Sequence, residues 1–121
     1  MRAFVDYERA LPTALRQIEA NLRTPMPRTY VDLGRLTFGG LAQYFEHDVP
    51  GIFASVPDRE LQQDFASANG EAIRVLKSLD LWFESQRASA TDNFAIGADQ
   101  FQQMLHDTER VDMPLDQLQA Y

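Results

Sequence analysis

No cysteine occurs among the 121 residues, which excludes disulfides and thiolate-bound metals. The absence leaves the compartment open, because a chain without thiols is tolerated in reducing and oxidising surroundings alike. Histidine is scarce as well. His47 and His106 are the two present, and neither has a second histidine three or four residues away, so the short-range zinc spacing is missing. No apolar run is long enough for a bilayer. The longest stretch without charge, Leu36 to Phe45, is about half the length that a membrane-spanning helix requires. The first residues, Met-Arg-Ala-Phe-Val-Asp-Tyr-Glu, carry acids and no apolar h-region, so no signal peptide is expected in this chain. Basic residues are also few, 11 against 18 acidic, and the net charge of -7 would repel a phosphate backbone or an anionic membrane. A soluble protein with no nucleic-acid partner is the expectation.

What is present is globular. Hydrophobic residues make up 45% and charged residues 24% of the chain, and no segment is low in complexity. The length fits one domain, residues 1–121, that would bury roughly two-thirds of its unfolded surface. The periodicity is helical throughout, and the fold class it predicts is all-α, an antiparallel bundle of about four to five helices around a long central helix.

That central helix is expected from Asp58 to Arg87. Leu61, Phe65, Ala68, Ala72, Val75, Leu79 and Trp82 recur in alternating four- and three-residue steps, which keeps them on one stripe. Ile73, Leu76 and Phe83 add a second stripe, so the C-terminal half should be covered from two sides. Pro57-Asp58 opens the helix, with Asp58 and Glu60 at the positive end of its dipole. Asn69-Gly70 could split it, but the apolar phase runs through the pair, and a continuous helix is predicted. Glu71 with Arg74 and Glu84 with Arg87 read as surface pairs of a few tenths of a kcal/mol.

Before it, about Arg2 to Arg23 is amphipathic, with Phe4, Leu11 and Ile18 in one line and Tyr7, Ala14 or Leu15, and Leu22 in the next. Pro12 should kink this helix near Leu11 or start it anew. Thr24-Pro25-Met26-Pro27 forces an extended turn. A second helix is expected from Arg28 to Glu46, with Tyr30 or Val31, Leu33, Leu36 or Thr37, Leu41, Tyr44 and Phe45 inward. Its Gly39-Gly40 pair, at about 1 kcal/mol per glycine, is read as close packing against a bulky neighbour. Gly51 to Val56 should form a short helical segment carrying Ile52 and Phe53 inward. After the central helix, Ala88 to Gly97 reads as a loop pinned by Phe94 and Ile96, followed by a helix at Ala98 to Glu109 with Phe101, Met104 and Leu105 inward. Leu115 to Tyr121 begins another helix and stops in mid-pattern, which suggests a fragment of a larger helical protein.

Chemistry is sparse. His47 lies in Glu46-His47-Asp48 and His106 precedes Asp107, and both read as solvated residues at helix ends. His47-Asp48-Val49-Pro50-Gly51 is one residue short of a His-Glu-x-x-Pro-Gly-His metallopeptidase motif and lacks its second histidine. Asp80 and Glu84, at helical spacing, read as a solvated face rather than a catalytic dyad, since nothing around them would raise a carboxylate pKa. Gly39-Gly40 lacks the lysine and serine or threonine of a phosphate-binding loop. Trp82-Phe83 and Tyr44-Phe45 could line a pocket, although core packing is the commoner role at this spacing. No catalytic, cofactor-binding or metal-ligating residue is assigned, and no cofactor is expected in this chain.

Three passages point further: Leu11-Pro12-Thr13-Ala14-Leu15 leading to Asn21-Leu22, the helix end Leu81-Trp82-Phe83, and Asn93-Phe94-Ala95-Ile96-Gly97 followed by Phe101-Gln102-Gln103-Met104-Leu105. Together they resemble the N-terminal portion of the bacterial family called domain of unknown function 885. The resemblance implies a long helical protein with a zinc-binding His-Glu-x-x-His helix farther along, of a metallopeptidase-like kind. It implies that this chain is a non-catalytic portion whose partner is the rest of the parent protein, with zinc only in a full-length relative. The alternative expectation is a self-standing module for protein interaction or self-association through exposed apolar helix faces.

Overall fold

The structure, a computed structural model, describes residues 1–120 and is all-helical, with no strand among the described residues. The order is α1 (Arg2–Asn21), α2 (Arg28–His47), α3 (Val49–Phe53), α4 (Arg59–Gln86), a 3-10 turn at Arg87–Ser89, α5 (Ala98–Glu109) and α6 (Leu115–Ala120). The last residue of the helix expected at Leu115 to Tyr121 lies outside the described residues. No described helix is long and apolar enough to cross a membrane.

The predicted central helix forms without a break. Asp58 caps it, its side chain accepting the Leu61 N–H at 3.0 Å, and Glu60 lies in the first turn. Phe65, Ala68, Ala72, Leu76, Leu79 and Phe83 are buried, and Val75 and Trp82 are half-buried. The deepest line therefore runs between the two expected stripes. Two helices cover it. α1 runs parallel to α4, as the ion pairs Arg2–Asp58 and Arg9–Asp64 record. α2 runs antiparallel, with Glu46 against Lys77, Arg35 against Asp80 and Asp32 against Arg87.

Aromatic packing marks both ends of the core. At one end Phe4 of α1 stacks on Phe45 of α2, with ring centroids 5.8 Å apart, and meets Phe53 at 5.2 Å, while Phe53 stands edge-on to Phe65 at 5.4 Å. At the other, Phe38 stacks on Phe83 at 5.7 Å. Met26 is buried where the first connection, which contains a cis Thr24-Pro25 bond, meets the segment after α4. Backbone bonds from Thr91 to Met26 and from Arg28 to Thr91 stitch those two segments together.

Several expectations are corrected. Of the two outcomes expected at Pro12, a kink or a new start, the new start does not occur, since α1 is one helix with Pro12 inside it; its buried face is Val5, Glu8, Leu11 and Leu15, while Ile18 and Tyr7 are exposed. The buried face of α2 is Val31, Gly34, Ala42 and Phe45, and Leu33, Leu36 and Tyr44 point outward. The reason is steric. α2 turns its small residues toward α4, and a methyl group added at Gly34 would lie 2.5 Å from the Phe83 ring. Close packing against a bulky neighbour thus belongs to Gly34, not to Gly39-Gly40: Gly39 faces only the Asp80 carboxylate, and Gly40 meets nothing within 4 Å. The short helix starts earlier than expected and buries Val49, leaving Ile52 exposed. Phe94, Ile96, Phe101 and Met104 are exposed instead of pinned, and neither α5 nor α6 buries a residue.

These contacts set the sensitivity of the core. Phe65→Ala and Leu79→Ala are each expected to cost about 2–5 kcal/mol through lost apolar contact and residual cavities. Gly34→Ala should also destabilise, because Phe83 has to leave its rotamer to admit the methyl. Gly70→Ala, in open space within the continuous helix, should stabilise by up to about 1 kcal/mol. A denaturant titration of the four variants checks all of these signs.

Candidate functional site

The candidate chemistry falls in three places. The first is the carboxyl of Glu8. Val5, Glu8, Leu11 and Leu15 share the face of α1 that meets α4, and Glu8 lies at its centre, fully buried. Neither of its carboxyl oxygens has a hydrogen-bond partner. Pro12, four residues on, has no N–H to give the Glu8 carbonyl, so the same residue loses a backbone partner as well. Burial pushes the Glu8 carboxyl up to about 7, so that it holds a proton where an exposed glutamate is ionised. Asn69 is the other buried polar side chain. Its amide nitrogen donates to the Phe45 carbonyl at 3.0 Å, satisfying an acceptor in the last turn of α2 from the middle of α4, while its Oδ1 is unpartnered. These two residues make the α1–α4–α2 junction polar at its heart.

The second place is the seam between α2 and α4. Arg35 lies between Asp80, at 3.2 Å, and Glu84, while Arg87 reaches Glu84 at 3.3 Å and Asp32 at 2.8 Å. Asp80 and Glu84, read from sequence as a solvated face, are thus each paired with a guanidinium across the seam, and Glu84–Arg87 is part of an interhelical chain of charges rather than an isolated surface pair. A shallow groove of about 470 Å³ borders it, lined by Arg35, Gly39, Gly40, Gln43, Asp80 and Arg87. Farther along the seam, the Lys77 ammonium, 2.7 Å from Glu46, holds that carboxyl below its usual range.

The third place joins α5 to α6. His106 Nδ1 contacts the Asp112 carboxylate, and its Nε2 lies 3.9 Å from Asp107. An open cleft of about 460 Å³ surrounds the pair, lined by Asp99, Gln102, Gln103, His106, Asp112 and Pro114. The Asp112 carboxylate can orient the imidazole ring. No serine, threonine or lysine lines this cleft to act as a nucleophile. His47 is exposed at the end of α2, away from this pair. Among the described residues no three of the histidine, aspartate and glutamate side chains gather as metal ligands. Of the aromatic pairs, Phe83 and Phe45 are core, Trp82 is half-buried and Tyr44 is exposed.

Sequence reasoning missed Glu8 and Asn69. The signal for Glu8 was available: it stands three residues from both Val5 and Leu11, in phase with Leu15, so a pattern that admits one acid predicts its burial. Asn69 drew notice only as a turn former beside Gly70.

Glu8 makes stability pH-dependent in a direction opposite to ordinary acid unfolding. Its carboxyl is raised from 4.5 to about 7 by burial, so between those values the folded chain keeps a proton that the unfolded chain has released. Stability should therefore fall as pH rises from 4.5 and level off above about 7, by up to about 3 kcal/mol. Glu8→Gln should remove this slope and leave the variant more stable than the parent at pH 8. Urea titrations of both proteins from pH 4 to pH 8 check the slope.

The family profile of the bacterial proteins of unknown function designated DUF885 matches residues 1–121. No curated protein and no solved structure shows significant similarity to the chain. Since the match runs along its whole length, the chain belongs to the DUF885 family of bacterial proteins.

Proposed function

We propose that this chain acts as one helical domain, the non-catalytic N-terminal portion of a zinc metallopeptidase-like protein, inactive alone and supplying helices that wall a substrate cleft. The observation that carries the reading is the passage from Asn93 to Leu105. It is one of the stretches that resemble the family, and it is amphipathic, yet Phe94 is 68% and Phe101 39% exposed. Apolar side chains grouped in this way are kept where another surface covers them. In the reading proposed here the zinc ligands and the general base come from elsewhere in the parent protein. The His106–Asp112 pair then serves the α5–α6 connection and not catalysis.

The purified chain is expected to bind no stoichiometric zinc and to hydrolyse no peptide. Elemental analysis together with a peptidase assay checks this. One equivalent of zinc, removed by a chelator together with a measurable hydrolysis, would overturn the reading. A His-Glu-x-x-His run elsewhere in the full reading frame of the gene would support it.

A second reading, a self-standing module for interaction or self-association, has its own observation. α1, α2 and α4 close a core among themselves, and the outward side of α2 still presents Tyr30, Leu33, Leu36 and Tyr44 at 44% to 75% exposure. Sedimentation separates the two readings: a closed monomer or a specific dimer with cooperative unfolding favours the module, and loose, polydisperse association favours the portion of a larger protein.

A further inference from the structure

We propose that two copies of this chain pair by exchange, α5 of each lying along the outer face of α2 of the other. The inference deepens the module reading by naming its partner, and rests on it. Tyr30, Leu33, Leu36, Thr37, Gly40 and Tyr44 fall within about a third of a turn on α2, opposite the face buried on α4. Gly40 lies in the middle of this stripe with nothing within 4 Å of the position a Cβ would take, so a second helix can come close there. The stripe from Tyr30 to Tyr44 is about 21 Å long, and α5, at 12 residues, about 18 Å.

α5 carries the matching surface. Phe101, Met104 and Leu105 share one face, with Phe94 and Ile96 just before the helix, and α5 forms no packed pair with α1, α2 or α4. Its own chain delivers it to the right end of α2: Thr91 is bonded to Arg28, and Phe94 borders a hollow of about 130 Å³ beside Thr29 and Asp32. That anchorage turns α5 outward and leaves the α2 stripe of the same chain uncovered, so the complementary helix is supplied by a second copy. The area suffices. With roughly 200 Å² for a whole large side chain, Tyr30, Leu33, Leu36, Tyr44, Phe94, Ile96, Phe101 and Met104 leave about 850 Å² exposed per chain. A reciprocal pair would bury up to about 1,700 Å², within the range of roughly 1,200–2,000 Å² of stable interfaces. Exchange closes with two-fold symmetry, so assembly stops at two.

The experiment uses the full chain and two surface variants, Leu33→Asp on α2 and Phe101→Asp on α5. Sedimentation equilibrium should show the parent as a dimer in the micromolar range, and each variant should weaken dimerisation at least tenfold while circular dichroism and the unfolding midpoint of the monomer stay unchanged. Mixing the two variants is the decisive arm. An exchanged pair then has one intact α5-on-α2 contact, so the mixture should dimerise more tightly than either variant alone. Three results would overturn exchange. A parent chain that is monomeric at every concentration would overturn exchange and leave the module reading to a partner of another kind. A dimer insensitive to Phe101→Asp would keep the module reading and place the contact elsewhere. Variants that both dissociate, with no recovery on mixing, would point to pairing of like faces.

Discussion

The apolar band of α4 is wider than one helix can cover, and the rest of the structure follows from that constraint. An uncovered half would leave Phe65, Leu76 or Phe83 in water at a cost of about 1.5–3 kcal/mol each. Two long helices therefore lie on α4 from different sides, one parallel and one antiparallel to it. α2 comes closest, because Gly34 lets its backbone rest against the Phe83 ring and Ala42 leaves little bulk a little over two turns later. Near the other end four phenylalanines, Phe4, Phe45, Phe53 and Phe65, pack together from four helices.

Into this core the chain places a carboxyl without a partner. A buried polar group left unsatisfied costs about 1–3 kcal/mol, and an ionised one considerably more, which is why Glu8 retains its proton to near neutrality. Asn69 carries a smaller cost and gives something back, since its amide satisfies a carbonyl at the end of α2. That single bond ties the middle of α4 to the last turn of α2 and opposes sliding of one helix along the other. Glu8 has no such return within the described residues, and Pro12, one turn later in the same helix, withholds the N–H that the Glu8 carbonyl would accept.

The ion pairs act on register more than on stability. Arg35, Arg87 and Lys77 each bridge α2 and α4, but their side chains are 37% to 51% exposed, where single pairs contribute about 0–1 kcal/mol. Their alternation along the seam still matters, because a slip by one turn would bring like charges together in a protein whose net charge is already -7. α5 and α6 take no part in this arrangement. They are joined to each other by the contacts of His106 with Asp112 and of Gln102 with the Met113 carbonyl, and their apolar side chains face outward.

The sequence by itself determined the helical class, the long central helix opening at Asp58 and the near-complete bounds of α2, because each of these rests on local spacing or a turn within a few residues; the family was carried separately, by the resemblance of three short passages. Continuity through Asn69-Gly70 was legible for the same reason: the apolar phase never reset. Only the tertiary structure decided which side of α1 and α2 turned inward. On α2 both Leu33-Leu36 and Val31-Ala42 are at helical spacing, and the choice fell to the face whose glycine and alanine admit Phe83, a steric fact about another helix. Burial of Glu8 came from the same source, since α1 can bury Val5, Leu11 and Leu15 against α4 only by taking the residue between them along. The pairing of Asp80 and Glu84 with Arg35 was likewise hidden, because the arginine stands 45 residues from Asp80 in sequence. The outward turn of Phe94, Phe101 and Met104 was hidden for the opposite reason: an apolar face is written in the sequence, but whether anything within the chain reaches it is settled by the path of the chain after Thr91.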